Sequence, residues 1–188
     1  MPNDKPFQTV HSQLAWSCPW YAVRQDEIIL PNGEPGVYNT ITKPDAVWIV
    51  PVTPDGEIVL LYQYRHTIDH WCWEVPAGSV KAGDSLAETA VTELREEVGG
   101  TAVSLQYISQ FYPANGICDE VGHIFLATGV TLGPTAHETA EVMTVHTRPV
   151  SAVLQMARSG QISDGPSALA LLLCEPYLSQ IFNHGFDG

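Results

Sequence analysis

The stretch EVPAGSVKAGDSLAETAVTELREEVGG, residues 74–100, gathers carboxylates on a segment with helical periodicity. At about 100° per residue, Glu97 lies about 40° and Glu96 about 60° from Glu93, so the three side chains share a face beside the apolar stripe. Like charges at this spacing destabilise a helix slightly, and Arg95 lies about 160° from Glu93. An exposed acidic face is one interpretation. The missing counter-charges favour another, a bound Mg²⁺ or Mn²⁺, because hard cations prefer oxygen ligands.

The residues before this helix form a bend that fits the metal interpretation. In EVPAG, Pro76 and Gly78 directly follow a predicted strand. Such a bend can expose a backbone carbonyl as a further oxygen ligand. Since these metals usually bind through a few carboxylates and substrate phosphates, the pattern predicts a metal and pyrophosphate site.

The elements that must position this site follow from turn signals and periodicity. Residues 20–30, a PNGEPG turn and VYNTI predict one hairpin, and residues 46–65 predict a second, more apolar one. A helix is predicted from Ser85 to Val98, ended by Gly99-Gly100. Later strands are predicted in VSLQYISQFY, VGHIFLATGV and EVMTVHT, followed by helices near 150–159 and 166–182. This order favours an α+β fold with a sheet between helices.

Composition and charge exclude several classes of protein. The 188 residues are 45% hydrophobic, enough for one domain with a real core and room for a small appendage. With 8 Lys and Arg against 21 Asp and Glu, the net charge is −13, which argues against nucleic acid or anionic membranes as partners. We see no signal peptide and no apolar run long enough to span a membrane. The four cysteines form no CxxC pair, so we expect reduced, mostly buried thiols in a cytoplasmic protein, with two disulfides as the alternative.

The residues from 78 to 100 resemble the signature of the Nudix hydrolases. That box reads Gly, five residues, Glu, seven residues, then Arg-Glu-apolar-any-Glu-Glu-any-Gly-apolar. Its spacing fits this sequence throughout, and the matching residues are Gly78, Glu93, Leu94, Glu96, Glu97 and Gly99.

Three positions depart from the box. Asp84 replaces its first Glu and keeps the carboxylate, and Gly100 replaces an apolar residue at the helix end. Thr92 replaces the arginine that orients neighbouring carboxylates in the family. A threonine hydroxyl cannot make the charged, bidentate contact, so either another group stabilises the site or activity is weakened or lost.

Beyond the box, most of the chain resembles the ADP-ribose pyrophosphatase branch. The similar segments are WYAVRQDEIILPNG, LLYQYR, WEVPAG, FYPANGICDEVGHIFLA and HETAEVMTVHTRPVSAVLQMARSGQISDGPSALALLL. The resemblance implies an α/β/α sandwich with a mixed central sheet over residues 46–188, and an N-terminal antiparallel hairpin over residues 1–45 that swaps across a homodimer. It also implies metal-dependent hydrolysis of a nucleoside diphosphate sugar to a nucleoside monophosphate and a sugar phosphate.

The resemblance implies roles for the carboxylates. The Ala77 carbonyl, Glu93 and Glu97 match metal ligands, and Glu96 matches a ligand of a further metal. In this branch a glutamate before a late strand often acts as the catalytic base. Glu138 of HETAEV matches it, with Glu141 as the second choice because its alternation into VMTV suggests the start of a strand.

Four further residues are candidates for substrate binding. Arg65 ends an apolar strand and resembles a phosphate-contacting arginine, although a surface arginine is the alternative. Trp20 and Tyr38 resemble residues that stack on the nucleobase, while many aromatics on strands belong to a core. Glu74 either contacts substrate or stabilises the bend.

Two other functions remain open. One is a hydrolase of the same fold that acts on a nucleoside triphosphate or a dinucleoside polyphosphate, although the short form of such enzymes lacks residues like 1–45. The other is a sensor that binds a nucleotide sugar without hydrolysis, for which Thr92 is the support. The intact set of Glu93, Glu96 and Glu97 favours catalysis.

Overall fold

The computed structural model describes residues 5–137 and 141–183, with side chains described as far as residue 179. Within it the chain forms two compact units. The first combines the described part of Met1–Pro44 with Tyr112–Val121, and the second combines Asp45–Phe111 with the described residues from Gly122 onward.

The first unit is a three-stranded antiparallel sheet in the order β1-β2-β3. Its strands are β1 (Gln8–Ser17), β2 (Ala22–Ile29) and β3 (Pro35–Thr42). The β2–β3 hairpin lies where the turn signal predicts one, whereas β1 was not predicted. Every residue of β1 is exposed, so it carries no buried face that an alternating pattern would reveal.

The second unit contains a seven-stranded mixed sheet and a separate two-stranded ribbon. Its strands are β4 (Ala46–Val52), β5 (Glu57–Arg65), β6 (His70–Glu74), β7 (Ala77–Ser79), β8 (Gly100–Thr101), β9 (Ser104–Phe111), β10 (Gly122–Thr128), β11 (Thr131–Leu132) and β12 (Met143–Pro149). The main sheet has the order β12-β5-β4-β10-β9, with β6 added to β5 and β7 added to β4. The β4–β10 pair is parallel, whereas β11 and β8 form the ribbon.

Three helices pack on this sheet, α1 (Leu86–Val98), α2 (Val150–Arg158) and α3 (Gly165–Asn183). Alternate residues of β5 point to opposite faces. Ile58 and Leu60 pack with residues of α2 and α3 in one core layer, and Val59 and Leu61 pack with residues of α1 in the other. The α+β architecture with a sheet between helices is therefore confirmed.

The cysteines depart in part from expectation. All four are free, as expected for reduced thiols, but only Cys72 and Cys174 are buried, while Cys18 and Cys118 are half-buried. Within the described residues, none of the helices combines the length and apolar character needed to cross a membrane.

Candidate active site

Helix α1 begins and ends at well-formed caps. Ser85 Oγ accepts a hydrogen bond from the Glu88 backbone N–H, and the Glu88 carboxylate accepts one from the Ser85 backbone N–H, which is a capping box. At the other end Gly99 adopts a left-handed conformation with φ of 67°, which glycine takes at little cost. The caps fix where α1 begins and ends, and thereby the positions of Glu93 and Glu97 along it.

The bend after β6 lies against these carboxylates. The Ala77 backbone N–H donates to Glu97 Oε2 at 2.9 Å. A Cβ built on Gly78 would overlap the carboxyl group of Glu93, so a side chain at that position would displace this carboxylate. The bend and the helix therefore approach closely enough for main-chain atoms of the loop and side chains of the helix to share one ligand.

A serine from α3 holds the same bend in place. Ser167 is fully buried, and its Oγ accepts a hydrogen bond from the Val75 backbone N–H at 3.0 Å. The Pro76 carbonyl in turn accepts from the Ile49 N–H of β4 at 2.9 Å. Since Ala77 follows directly, α3 and the central sheet together position the N–H that reaches Glu97.

The carboxyl group of Glu97 has a strongly raised pKa. It is only 6% exposed, and burial raises its pKa to about 8, because the charged form loses hydration. The hydrogen bond from Ala77 and the charge of Arg65 act in the opposite direction, while the charges of Glu93 and Glu141 add to the increase. A divalent cation would relieve the repulsion between the buried Glu97 carboxylate and its half-buried acidic neighbours.

Arg65 and Glu74 form an ion pair beside this set. Arg65 Nε donates to Glu74 Oε1 at 2.8 Å, and a second guanidinium nitrogen donates to Glu74 Oε2. Glu74 is buried, and its carboxylate raises the pKa of Arg65. Both line a cavity of about 460 Å³, together with residues of the α2–α3 loop that include Asp164. Glu74 therefore orients the guanidinium of Arg65. One interpretation of the sequence was that Glu74 stabilises the bend, whereas the group that it holds in place is Arg65.

Of the two candidate bases, Glu141 lies within the described residues and Glu138 lies outside them. Tyr64 N–H of β5 donates to the Val142 carbonyl, and Met143 pairs with Gln63. This register carries the chain at Glu141 to the Arg65 end of β5. The influence of its charge on the pKa of Glu97 agrees with that location.

Residues 133–137 form a strap across the C-terminal end of α1. The N–H of Gly133 donates to the Gly99 carbonyl and the N–H of Ala136 donates to the Glu96 carbonyl, both at 2.8 Å. His137 Nε2 lies 2.6 Å from the Glu97 carbonyl. A Cβ on Gly99 would overlap the Gly133 carbonyl. The strap thus donates hydrogen bonds to carbonyls that a helix end leaves unpaired. Because it approaches so closely, a side chain does not fit at Gly99, the second matching glycine of the box.

The acidic face of α1 differs in two respects from expectation. Arg95 does not simply point away, because its guanidinium lies 3.4 Å from Glu96 Oε1, a weak contact between exposed groups. The three glutamates are also unequal, since Glu97 is buried whereas Glu93 and Glu96 are half-buried. The helical wheel predicts the direction of each side chain but not how deeply it is buried. Packing against the bend and the strap determines the burial.

Trp20 and Tyr38 belong to the first compact unit and not to the unit of the carboxylates. Trp20 lies between β1 and β2 and is 75% exposed. Tyr38, on β3, donates its hydroxyl to the Gly116 carbonyl at 3.2 Å. Neither ring is buried in a core, so both remain candidates for stacking.

Comparison with known proteins decides the family. A NUDIX domain model matches residues 42–165. The chain belongs to the Nudix family. It is 32% identical to an ADP-ribose pyrophosphatase of Bacillus subtilis over 148 residues, covering 78% of this chain and 80% of that protein. It is 35% identical over 159 residues to an ADP-ribose pyrophosphatase of Mycobacterium tuberculosis, covering 83% and 77%.

A solved structure described as an ADP compounds hydrolase superposes with a TM-score of 0.83 at 20% identity, covering 96% of this chain and 98% of that one. That likeness confirms the Nudix fold. Together with the sequence relatives, it supports a pyrophosphohydrolase.

The residues of this Nudix hydrolase fit a divalent cation. Carboxylate and carbonyl oxygens are the donors that Mg²⁺ and Mn²⁺ prefer, and Gly78 leaves the space in which the Glu93 carboxylate meets the bend. Within the described residues, no three acidic, His or Cys side chains form a preformed metal cluster. A small carboxylate set suits a metal whose remaining ligands are water and substrate phosphates.

Several residues of the site were not identified from the sequence. Ser167, His137 and the packing reasons for Gly78 and Gly99 depend on contacts between segments distant along the chain. Only the two glycines had a sequence signal, as fixed positions of the box.

The pKa of Glu97 predicts how pH affects the metal-free protein. Between its ordinary value of 4.5 and about 8, the unfolded chain has released this proton while the folded chain retains it. The free energy of unfolding contributed by this group is therefore full below pH about 4.5 and falls as pH rises to about 8. Urea denaturation of chelator-treated protein across this range should show the decline, and Glu97→Gln should flatten it.

Glu27→Gln, at an exposed site of β2, is the matched control because it removes the same charge. An equal decline in wild type and Glu97→Gln would show that burial of Glu97 does not govern the pH dependence.

Proposed function

We propose that this Nudix pyrophosphohydrolase cleaves the diphosphate of a nucleoside diphosphate sugar of the ADP-ribose kind, releasing a nucleoside monophosphate and a sugar phosphate. The observation that carries the proposal is the buried Glu97 beside Glu93, Ala77 and Arg65, which combines oxygen ligands for a cation with a cationic contact for phosphate. The identity to two ADP-ribose pyrophosphatases supports the substrate class.

The residues divide into three roles. Glu93, Glu97 and the Ala77 carbonyl would hold Mg²⁺ or Mn²⁺, with Glu96 at the half-exposed edge of the set as ligand of a further ion. A metal held there would offset the charge of the diphosphate and lower the pKa of water. Arg65, oriented by Glu74, binds a phosphate oxygen through the donors of its guanidinium that remain available.

Proton transfer completes the reaction. As a water oxygen forms its bond to one phosphorus, a carboxylate takes the proton, and the bond from that phosphorus to the bridging oxygen breaks to release the other phosphate. The resemblance favours Glu138 as this base. Glu141 has a separate effect, because its charge raises the pKa of Glu97.

A substrate panel tests the reaction directly. ADP-ribose, ADP-glucose, UDP-glucose, GDP-mannose, ATP and a dinucleoside polyphosphate are each incubated with Mg²⁺ or Mn²⁺, and released monophosphate is measured by chromatography. We expect ADP-ribose to give AMP and ribose 5-phosphate at the highest kcat/KM. Preferred cleavage of ATP or of the dinucleoside polyphosphate would replace the proposed substrate class.

The sensor is a second candidate because Thr92 stands where the family has arginine. Binding of nucleotide sugars by calorimetry without any product would favour it. Thr92→Arg then separates a lapsed enzyme, which recovers activity, from a sensor, which does not.

Paired variants separate the two candidate bases. Glu138→Gln should lower kcat by roughly 10² to 10⁴ with KM retained, because it removes the base and keeps the size. Glu141→Gln should shift the pH-dependent loss of stability toward lower pH, because it removes a charge that raises the pKa of Glu97. If Glu138→Gln is unimpaired and Glu141→Gln loses turnover, the role of base passes to Glu141.

We also propose that residues 1–45 form the dimerising region of a homodimer and that residues 46–188 form the catalytic domain. Val10, Leu14 and Trp16 of β1 are 60%, 66% and 52% exposed, an apolar surface on a strand that lies at the end of its sheet. Light scattering at micromolar concentration should give the mass of two chains. The mass of one chain would contradict the proposal.

A cytoplasmic location is proposed with this function. Four free cysteines in the described structure agree with a reducing compartment.

A further inference from the structure

The side-chain carbonyl of Gln63 is buried without a hydrogen-bond partner. Gln63 is 7% exposed, and within the described residues its Oε1 is one of three buried side-chain atoms that lack a partner. The other two have separate settings, since Thr42 belongs to the first compact unit and the Arg148 guanidinium lies over the Trp73 ring at 4.8 Å. Buried polar atoms are nearly always paired, so an exception requires a physical reason.

The strand register places Gln63 next to residues that line the cavity of the candidate site. It lies opposite Cys72 in the β5–β6 ladder and opposite Met143 in the β5–β12 ladder. Because alternate strand residues share a face, Gln63 lies on the same face as Leu61, which packs with α1, and as Arg65. Cys72 and Arg65, its neighbours on that face, both line the cavity of about 460 Å³.

The chemistry of the amide indicates what its carbonyl lacks. A carbonyl oxygen only accepts hydrogen bonds, and the nearest cationic donor along the strand, Arg65, already donates to Glu74. A buried acceptor without a hydrogen-bond partner lowers the stability of the fold. Proteins retain such a destabilising group where a ligand supplies the missing partner.

We propose that Gln63 is a ligand-binding residue whose side-chain carbonyl accepts a hydrogen bond from an O–H donor that enters with the metal and substrate. The donor is either a metal-bound water or a hydroxyl of the sugar. The proposal rests on the hydrolase function above and adds a binding residue to its site.

The variant Gln63→Met tests this because it keeps nearly the same volume and removes the acceptor. In metal-free protein we expect the melting temperature to rise by about 2 °C or more, since the unpaired polar group is gone. In the same variant kcat/KM for the best substrate should fall by about tenfold or more, since the ligand loses a hydrogen bond. Gln63→Leu, whose side chain is shorter and branched, serves as a second variant in case methionine packs poorly.

Two thermal-shift measurements identify the donor. A smaller increase in melting temperature with Mg²⁺ alone, relative to wild type, indicates a metal-bound water. An unchanged increase with Mg²⁺ but a smaller further increase with ribose 5-phosphate indicates a sugar hydroxyl. If both increases match wild type, Gln63 binds neither ligand and the proposal is wrong.

The metal-free protein gives an independent outcome. A melting temperature that is unchanged or lower in both variants means that the carbonyl is already satisfied, by a buried water for example, and overturns the proposal. Unimpaired kcat/KM overturns it as well. Gln106→Met, at an exposed position of β9, is the matched control and should change none of these quantities.

A failure of the proposed function would look different. Wild-type protein would then release no monophosphate from any substrate in the panel, while the thermal measurements would still report on Gln63.

Discussion

The burial of the Glu97 carboxylate is the interaction on which the site depends. Removing a carboxylate from water is costly, and here one hydrogen bond from the Ala77 N–H offsets part of that cost. Several separate elements maintain this arrangement. Ser167 holds the bend from α3, β4 holds it through Ile49, and the strap at residues 133–137 holds the end of α1. These contacts therefore hold the bend and α1 together and keep the Glu97 carboxylate buried.

Thr92 stands where the family box has arginine, so the helix supplies no cation at that position. The cationic charge that lowers the pKa of Glu97 comes from Arg65 at the end of β5 rather than from the helix itself. Glu74 fixes the guanidinium of Arg65, so the position of this positive charge is structurally defined. Arg65 lines the cavity, so its guanidinium is accessible to a phosphate group there.

The sequence predicted what depends on local chemistry. The periodicity of α1 and its end at Gly99, the hairpin of residues 46–65, and the spacing from Gly78 to Gly99 are readable because each depends on neighbouring residues. Strand β1 was missed because its residues are all exposed. The depth of Glu97, the contact of Ser167 with Val75 and the unpaired carbonyl of Gln63 arise from tertiary packing, which no local pattern encodes.

The central claim is that Glu93, Glu97 and the Ala77 carbonyl hold a divalent cation. Crystals grown with Mn²⁺ test it most directly, because the anomalous scattering of manganese locates the ion without any assumption about activity. The account predicts an anomalous peak at coordination distance from the carboxylate oxygens of Glu93 and Glu97 in wild-type protein, and its loss in Glu97→Gln. Ordered Glu93 and Glu97 side chains with no peak between them, at saturating Mn²⁺, would contradict it.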